Sequence, residues 1–124
     1  MRLLVCGGRD FSDTASANKV LDAMHRALGI DVLIEGDARG ADRIAGYWAR
    51  KNRVTNLKFR ADWNTHGKAA GAIRNQKMLD EGKPTHVLAF PGGRGTADMV
   101  RRATAAGVQV ITATSPSHQG NDDD

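Results

Sequence analysis

The stretch "THVLAFPGGRGTADMVRRATAAG", Thr85 to Gly107, carries three signals in succession. A short continuous apolar run, Thr85 to Phe90, is stopped by Pro91. A glycine-rich turn follows. An amphipathic run from Gly95 then ends on Gly107, a glycine placed as a C-cap. An apolar run without alternation fits a strand covered on both faces, which is the signature of a parallel sheet.

The same order recurs along the chain. "RLLVC" (Arg2 to Cys6) predicts a first strand. "DTASANKVLDAMHRAL" predicts a first helix, with Val20, Leu21, Met24, Ala27 and Leu28 at helical spacing and Ser12 or Asp13 as N-cap. "DVLIEG" is a second strand, and "GADRIAGYWARKN" a second helix with Ile44, Ala45, Trp48 and Ala49 on one side. "NLKFRA" is a third, less buried strand. "HGKAAGAIRNQKMLDEG" is a third helix ended by Gly82 and Pro84, and "VQVITAT" a fifth strand.

Strands alternating with helices imply right-handed crossovers between parallel strands. The expectation is one Rossmann-like α/β three-layer domain over residues 1–114, with a mainly parallel five-stranded sheet in the order 3-2-1-4-5. Residues 115–124, ending "HQGNDDD", read as a disordered acidic tail.

Bulk properties agree with a single core. The chain has 124 residues, 40% hydrophobic and 26% charged, which is globular composition. Its 14 glycines cluster in loops without a period, so collagen-like and low-complexity readings fail. No apolar run approaches the ~20 residues of a membrane span, and the N-terminus reads as a strand rather than a signal peptide. One cysteine, Cys6, makes no internal disulfide, which fits a cytoplasmic location; at the end of an apolar strand it packs as a small hydrophobe. The net charge of +4 favours anionic partners.

In open parallel sheets ligands bind beyond the carboxyl ends of the strands, where the strand order reverses. All three glycine loops fall at that edge: "CGGRDFSD", "EGDARGAD" and "FPGGRGTAD". Glycines before a helix leave backbone N–H groups uncovered beside the positive end of the helix dipole, a ready anion site; the plainer reading is a tight turn. Three such loops at one edge, two with an arginine, favour an anionic ligand. Gly7, Gly8, Arg9, Gly36, Asp37, Gly92, Gly93, Arg94, Gly95 and Thr96 are the candidate ligand-binding residues. Trp63 joins them as a stacking surface for a base, or else serves a domain or dimer interface. His66 and Lys68 either reach a phosphate or belong to a solvated loop and helix start. Asp42 reads as helix-start chemistry. His25, His66, His86 and His118 make no metal spacing with one another or with Cys6, and no cofactor is expected. The P-loop signature is absent, and Gly93-Arg94-Gly95 begins a G-x-G-x-x-G pattern that fails at Asp98.

"PGGRGTAD" resembles the PGGxGTxxE signature of the LOG ("lonely guy") phosphoribohydrolases of the SLOG superfamily. "CGGRDF", "EGDARGAD", "ADWNTHGKAAGAIRNQKM" and "AFPGGRGTADM" look more closely like its small YspA-like, YpsA-related branch, from Leu3 to Ile111. The resemblance implies a DprA-like Rossmann fold and nucleotide binding. For the LOG enzymes it implies hydrolysis of the N-glycosidic bond of nucleoside 5′-monophosphates by an arginine and an acid, whose counterparts here are Arg74 and Asp98. A carboxylate near the ribose would stabilise an oxocarbenium-like transition state. The departures are aspartate for glutamate, Asn75 for lysine after Arg74, and the missing C-terminal elements. Each residue also has a plainer reading: Asp98 as an acid favoured by the helix dipole, Arg74 as a surface arginine reaching Asp80 or Glu81.

Three readings follow. The first is a nucleotide-binding domain that senses or sequesters a nucleotide signal, and the second an N-glycoside hydrolase. Nucleic-acid binding of a DNA-processing type ranks last, because aromatics are only 5% of the chain. A homodimer or higher oligomer is expected from the resemblance and from the small residues Ala69, Ala70, Gly71 and Ala72.

Overall fold

The computed structural model describes residues 1–113, so the tail expected over residues 115–124 lies outside the described residues. Five strands form one sheet: β1 (Arg2–Cys6), β2 (Val32–Glu35), β3 (Thr55–Lys58), β4 (His86–Ala89) and β5 (Gln109–Thr112). Their order is β3-β2-β1-β4-β5, and every pairing is parallel. The fold class is as the alternation of apolar and amphipathic runs implies, and the order is the expected 3-2-1-4-5.

The long helices are α1 (Thr14–Leu28), α2 (Ala41–Lys51), α4 (Ala70–Gly82) and α5 (Arg94–Ala105), with a single turn, α3 (Trp63–His66), before α4. Side chains on β1 alternate between two cores. Leu3 and Val5 pack with Leu21, Ala45 and Trp48 from α1 and α2, whereas Leu4 and Cys6 pack with Met78, Met99 and Ala103 from α4 and α5. The period of two along a strand thus builds a core on each face, which is why these strands are apolar throughout.

Three boundaries differ from the sequence reading. The third helix does not run unbroken from His66. Asp62 caps a separate turn through the amide of Thr65 (3.1 Å), Gly67 breaks it at φ +54, and a 3₁₀ turn over Gly67–Ala69 leads into α4. Strand β3 ends at Lys58, short of Ala61 where the run "NLKFRA" closes, and Trp63 opens α3. Gly82 lies inside α4, where a Cβ would press on Ile34 at 3.2 Å; Lys83, before Pro84, takes the left-handed C-cap conformation at φ +50. The first helix settles on Asp13 as its cap, accepting from Ser16 N at 3.1 Å.

The loops after β1, β2 and β4 approach closely at the carboxyl edge. Gly8 donates its amide to Pro91 O (2.8 Å) and accepts from the amides of Phe11 and Ala41, both at 3.2 Å. Phe11 stacks on Phe90 with ring centroids 4.9 Å apart. Gly40 has φ +86, and a Cβ there would fall on the Gly8 carbonyl oxygen. Gly107 has a similar φ of +77 with open space around it. Gly40→Ala is therefore expected to cost about 3 kcal/mol and Gly107→Ala about 1 kcal/mol, since only the first adds a backbone collision to left-handed strain. Urea unfolding of both variants measures the difference; equal losses would contradict the close approach.

Candidate functional site

A cleft of about 430 Å³ opens where β1 and β4 lie side by side, between the glycine loops, α4 and the start of α5. Of the residues singled out from sequence, Gly7, Arg9, Trp63, Lys68, Arg74, Arg94, Gly95, Thr96 and Asp98 line it together. Gly8, Gly92 and Gly93 do not. The Gly8 amide is bonded to Pro91, and Cβ atoms on Gly7 or Gly92 would strike Ala41 and Phe90 or Thr96 and Gly8. These glycines allow the loops to touch. Gly36 and Asp37 line an adjoining basin.

The start of α5 has the geometry that favours an anion. Gly93 stands at its N-cap without a side-chain cap, and no acidic residue occupies its first turn. The helix presents Arg94, Gly95 and Thr96 to the cleft, where its free amides and dipole favour negative charge. A Cβ on Gly95 would meet nothing within 4 Å, so there is open space beside this cleft residue.

Arg74 turns into the fold. It donates to Gly36 O (2.7 Å) and Asn75 Oδ1 (3.1 Å), while Asp80 accepts from Gln76 instead. Burial lowers its pKa; the nearby Asp42 carboxylate opposes that shift and Arg9 adds to it. Arg9 lies over Trp63, 5.4 Å from the ring centroid, and Trp63 remains 48% exposed. Gly71 and Ala72 also line this wall and Ala70 is buried, so these small residues of α4 serve the chain's own packing and cleft.

Asp98 is committed within the fold. Its carboxylate accepts from Asn75 Nδ2 (3.0 Å) and Arg102 Nε (2.8 Å), with Arg101 at 3.5 Å. Partial burial pushes its pKa up, but the bonds from Asn75 and Arg102 outweigh this and hold it below the usual carboxylate range. Along PGGxGTxxE, Asp98 stands one residue before the glutamate; that place is taken by Met99, which is fully buried.

Sequence reading missed three polar groups. Asp42, in the first turn of α2, is more than a helix-start residue: it is 6% exposed, lines the cleft and accepts from Ala38 N at 3.3 Å. Burial raises its carboxyl from 3.8 to about 7, against the pull of Arg74. Glu35 is fully buried and accepts from Asp37 N (2.5 Å) and Asn56 Nδ2 (3.2 Å). Asn75 joins Arg74, the Gly95 carbonyl and Asp98. An acid closing the apolar run "VLIE" was the one signal available for Glu35. Cys6 also reaches the cleft, but burial, reinforced by Asp42, pushes its thiol up to about 12, so it stays an unreactive thiol. Among the described residues no group of three or more His, Cys, Asp or Glu could hold a metal ion, and no helix is long and apolar enough to cross a membrane.

This architecture has known relatives. The profile of the YspA, cpYpsA-related SLOG family matches residues 1–66, from β1 to the end of α3. The chain belongs to that family. It is 42% identical over 118 residues to the Gene 61 protein of Mycobacterium phage D29, covering 89% of this chain and 94% of that protein. Its fold superposes on DNA processing protein A (DprA) from Streptococcus pneumoniae with a TM-score of 0.78 over 96% of this chain. At 18% identity that likeness is one of fold, and the SLOG chain spans 52% of the DprA chain.

The buried Asp42 sets a pH dependence. Its folded pKa lies above its unfolded one, so its contribution to stability is full below pH 3.8 and is lost as pH rises through about 7. Asp42→Asn removes that loss. The melting temperature of the variant relative to wild type is expected to rise by roughly 5 °C between about pH 5 and about pH 8. A difference that does not change with pH would contradict it.

Proposed function

We propose that this domain binds a nucleotide or nucleotide-derived ligand in the cleft, and that it senses or sequesters such a ligand in the cytoplasm. The observation that carries this reading is the convergence of the uncapped start of α5 with Arg9 and Arg74. The phosphate would take the amides of Arg94, Gly95 and Thr96 and the Thr96 hydroxyl, with Arg9 and Arg74 supplying charge. A ribose hydroxyl would meet Asp98 or Asp42 at the cleft wall. The exposed face of Trp63 offers a stacking surface for the base.

Binding is favoured over N-glycoside hydrolysis by the state of the carboxylates. Asp98 is held by Asn75 and Arg102, and a buried methionine stands where the signature has its glutamate. Incubation with nucleoside monophosphates is expected to release no free base. Release that disappears in Asp98→Ala and Arg74→Ala would establish the hydrolase instead.

Calorimetric titration with AMP and a panel of mono-, di- and cyclic nucleotides tests the binding itself. Arg74→Ala is expected to weaken binding by about tenfold to a hundredfold, the worth of one charge-assisted contact to phosphate. Thr96→Val, which keeps the shape but loses the hydroxyl, is expected to weaken it by about threefold to tenfold. Heat of binding absent across the whole panel would sink the proposal.

A further inference from the structure

Next to the cleft lies a second basin, of about 540 Å³, which shares Arg9, Ala38, Trp63 and Arg74 with the first. Its own wall adds Arg39, Arg43 and Arg60, and Asp37 is the one carboxylate in its lining. A single anion stands among many cations here, and its placement is built. The Asp37 backbone is left-handed at φ +56, and its amide is bonded to the fully buried Glu35.

The Asp37 side chain accepts from Arg60 Nη2 (2.7 Å) and Lys58 Nζ (3.2 Å), with Arg43 at 3.8 Å. The bonds from Arg60 and Lys58 outweigh its burial and hold it below the usual carboxylate range, so it stays charged. Lys58 also lies 3.6 Å from Glu35 and Arg39 is paired with Asp10 at 3.1 Å, which leaves Asp37 as the carboxylate that answers both Arg43 and Arg60. Asp37 fixes where Arg60 and Arg43 stand, at the rim of the basin, with their side chains 81% and 62% exposed. Cations gathered in this way repel one another, and a bound anion relieves the repulsion. At the junction of the two basins the charge of Arg9 lowers the pKa of Arg74, while Asp42 opposes that shift.

We propose that the basin walled by Arg43 and Arg60 is a second anion site continuous with the cleft, and that the ligand is a two-unit nucleotide, two nucleosides joined through phosphate. One phosphate takes the start of α5 and a second lies against Arg43 and Arg60. Each basin alone has the volume that encloses a drug-sized ligand, ~300–1,000 Å³, so a mononucleotide leaves one of them empty. This assignment rests on the nucleotide reading above and narrows it.

Calorimetry at fixed salt with four probes tests it: AMP, diadenosine diphosphate (pyrophosphate-joined), the dinucleotide pApA (phosphodiester-joined) and a twelve-residue oligoadenylate. At least one of the two-unit probes is expected to bind about tenfold or more tighter than AMP, and whichever gains more names the linkage. The double variant Arg43→Gln/Arg60→Gln is expected to abolish that gain and leave AMP binding unchanged. Arg43→Glu, an exposed charge reversal that leaves the Asp37–Arg60 pair in place, is expected to reduce the gain as well.

AMP binding with no gain for either two-unit probe overturns the second site and leaves the nucleotide reading standing. A gain that survives both variants overturns the assignment to Arg43 and Arg60. A further tenfold climb from pApA to the twelve-residue strand overturns the two-unit ligand in favour of a nucleic-acid track. Silence from every probe removes the nucleotide reading itself.

Discussion

The Arg74 guanidinium, bonded to the Gly36 carbonyl at 2.7 Å, is the contact on which the rest of this site depends. It reaches from α4 to the loop after β2, lines both basins and fixes the cleft wall. The loop is held at three consecutive residues: Gly36 by Arg74, the Asp37 amide by Glu35, and the Ala38 amide by Asp42. A Cβ on Gly36 would push the Arg74 guanidinium out of its seat. A loop fixed in this way loses little entropy on binding, and its charges are already aimed.

The distribution of charge separates two kinds of polar group. Glu35, Asp42 and Asn75 are buried and hold backbone or side-chain partners. Arg9, Arg39, Arg43 and Arg60 face the two basins, and only Asp37 among their lining residues answers them in the second. The carboxylates shape the site, and in the proposed reading the arginines draw the anion. That division of labour is what a binding module needs, whereas bond cleavage would need a carboxylate left uncommitted at the sugar.

Much of the fold was legible because its signals are local. Five apolar runs, the helical spacing of Val20, Leu21, Met24 and Leu28, and a glycine turn after each inner strand sufficed for the parallel α/β class and for the edge where the glycine loops gather. Features that depend on distant partners stayed hidden. Arg74 and Gly36 are 38 positions apart, and Asn75 and Asp98 are 23 apart, so no window of sequence contains both members of either pair. The glycines misled in one respect. Gly7, Gly8 and Gly92 sit in turns as a phosphate cradle would have them, yet Gly8 spends its amide on Pro91 and Gly92 packs on Thr96 and Gly8, while Gly7 lines the cleft with its far side against Ala41 and Phe90. Asp37 carried no sign in the sequence that it would be the left-handed residue of its loop; that follows from its amide being drawn to Glu35.

The central claim is that phosphate enters at the start of α5, and amide chemical shifts read it most directly. On titrating isotope-labelled protein with AMP, the account predicts that the largest shifts fall on the amides of Arg94, Gly95 and Thr96, with smaller ones at Ala38 and Arg9. The amide of Gly8, already bonded to Pro91, would move little. Shifts concentrated on α1 and β5, far from the glycine loops, or none at saturating nucleotide, would contradict it.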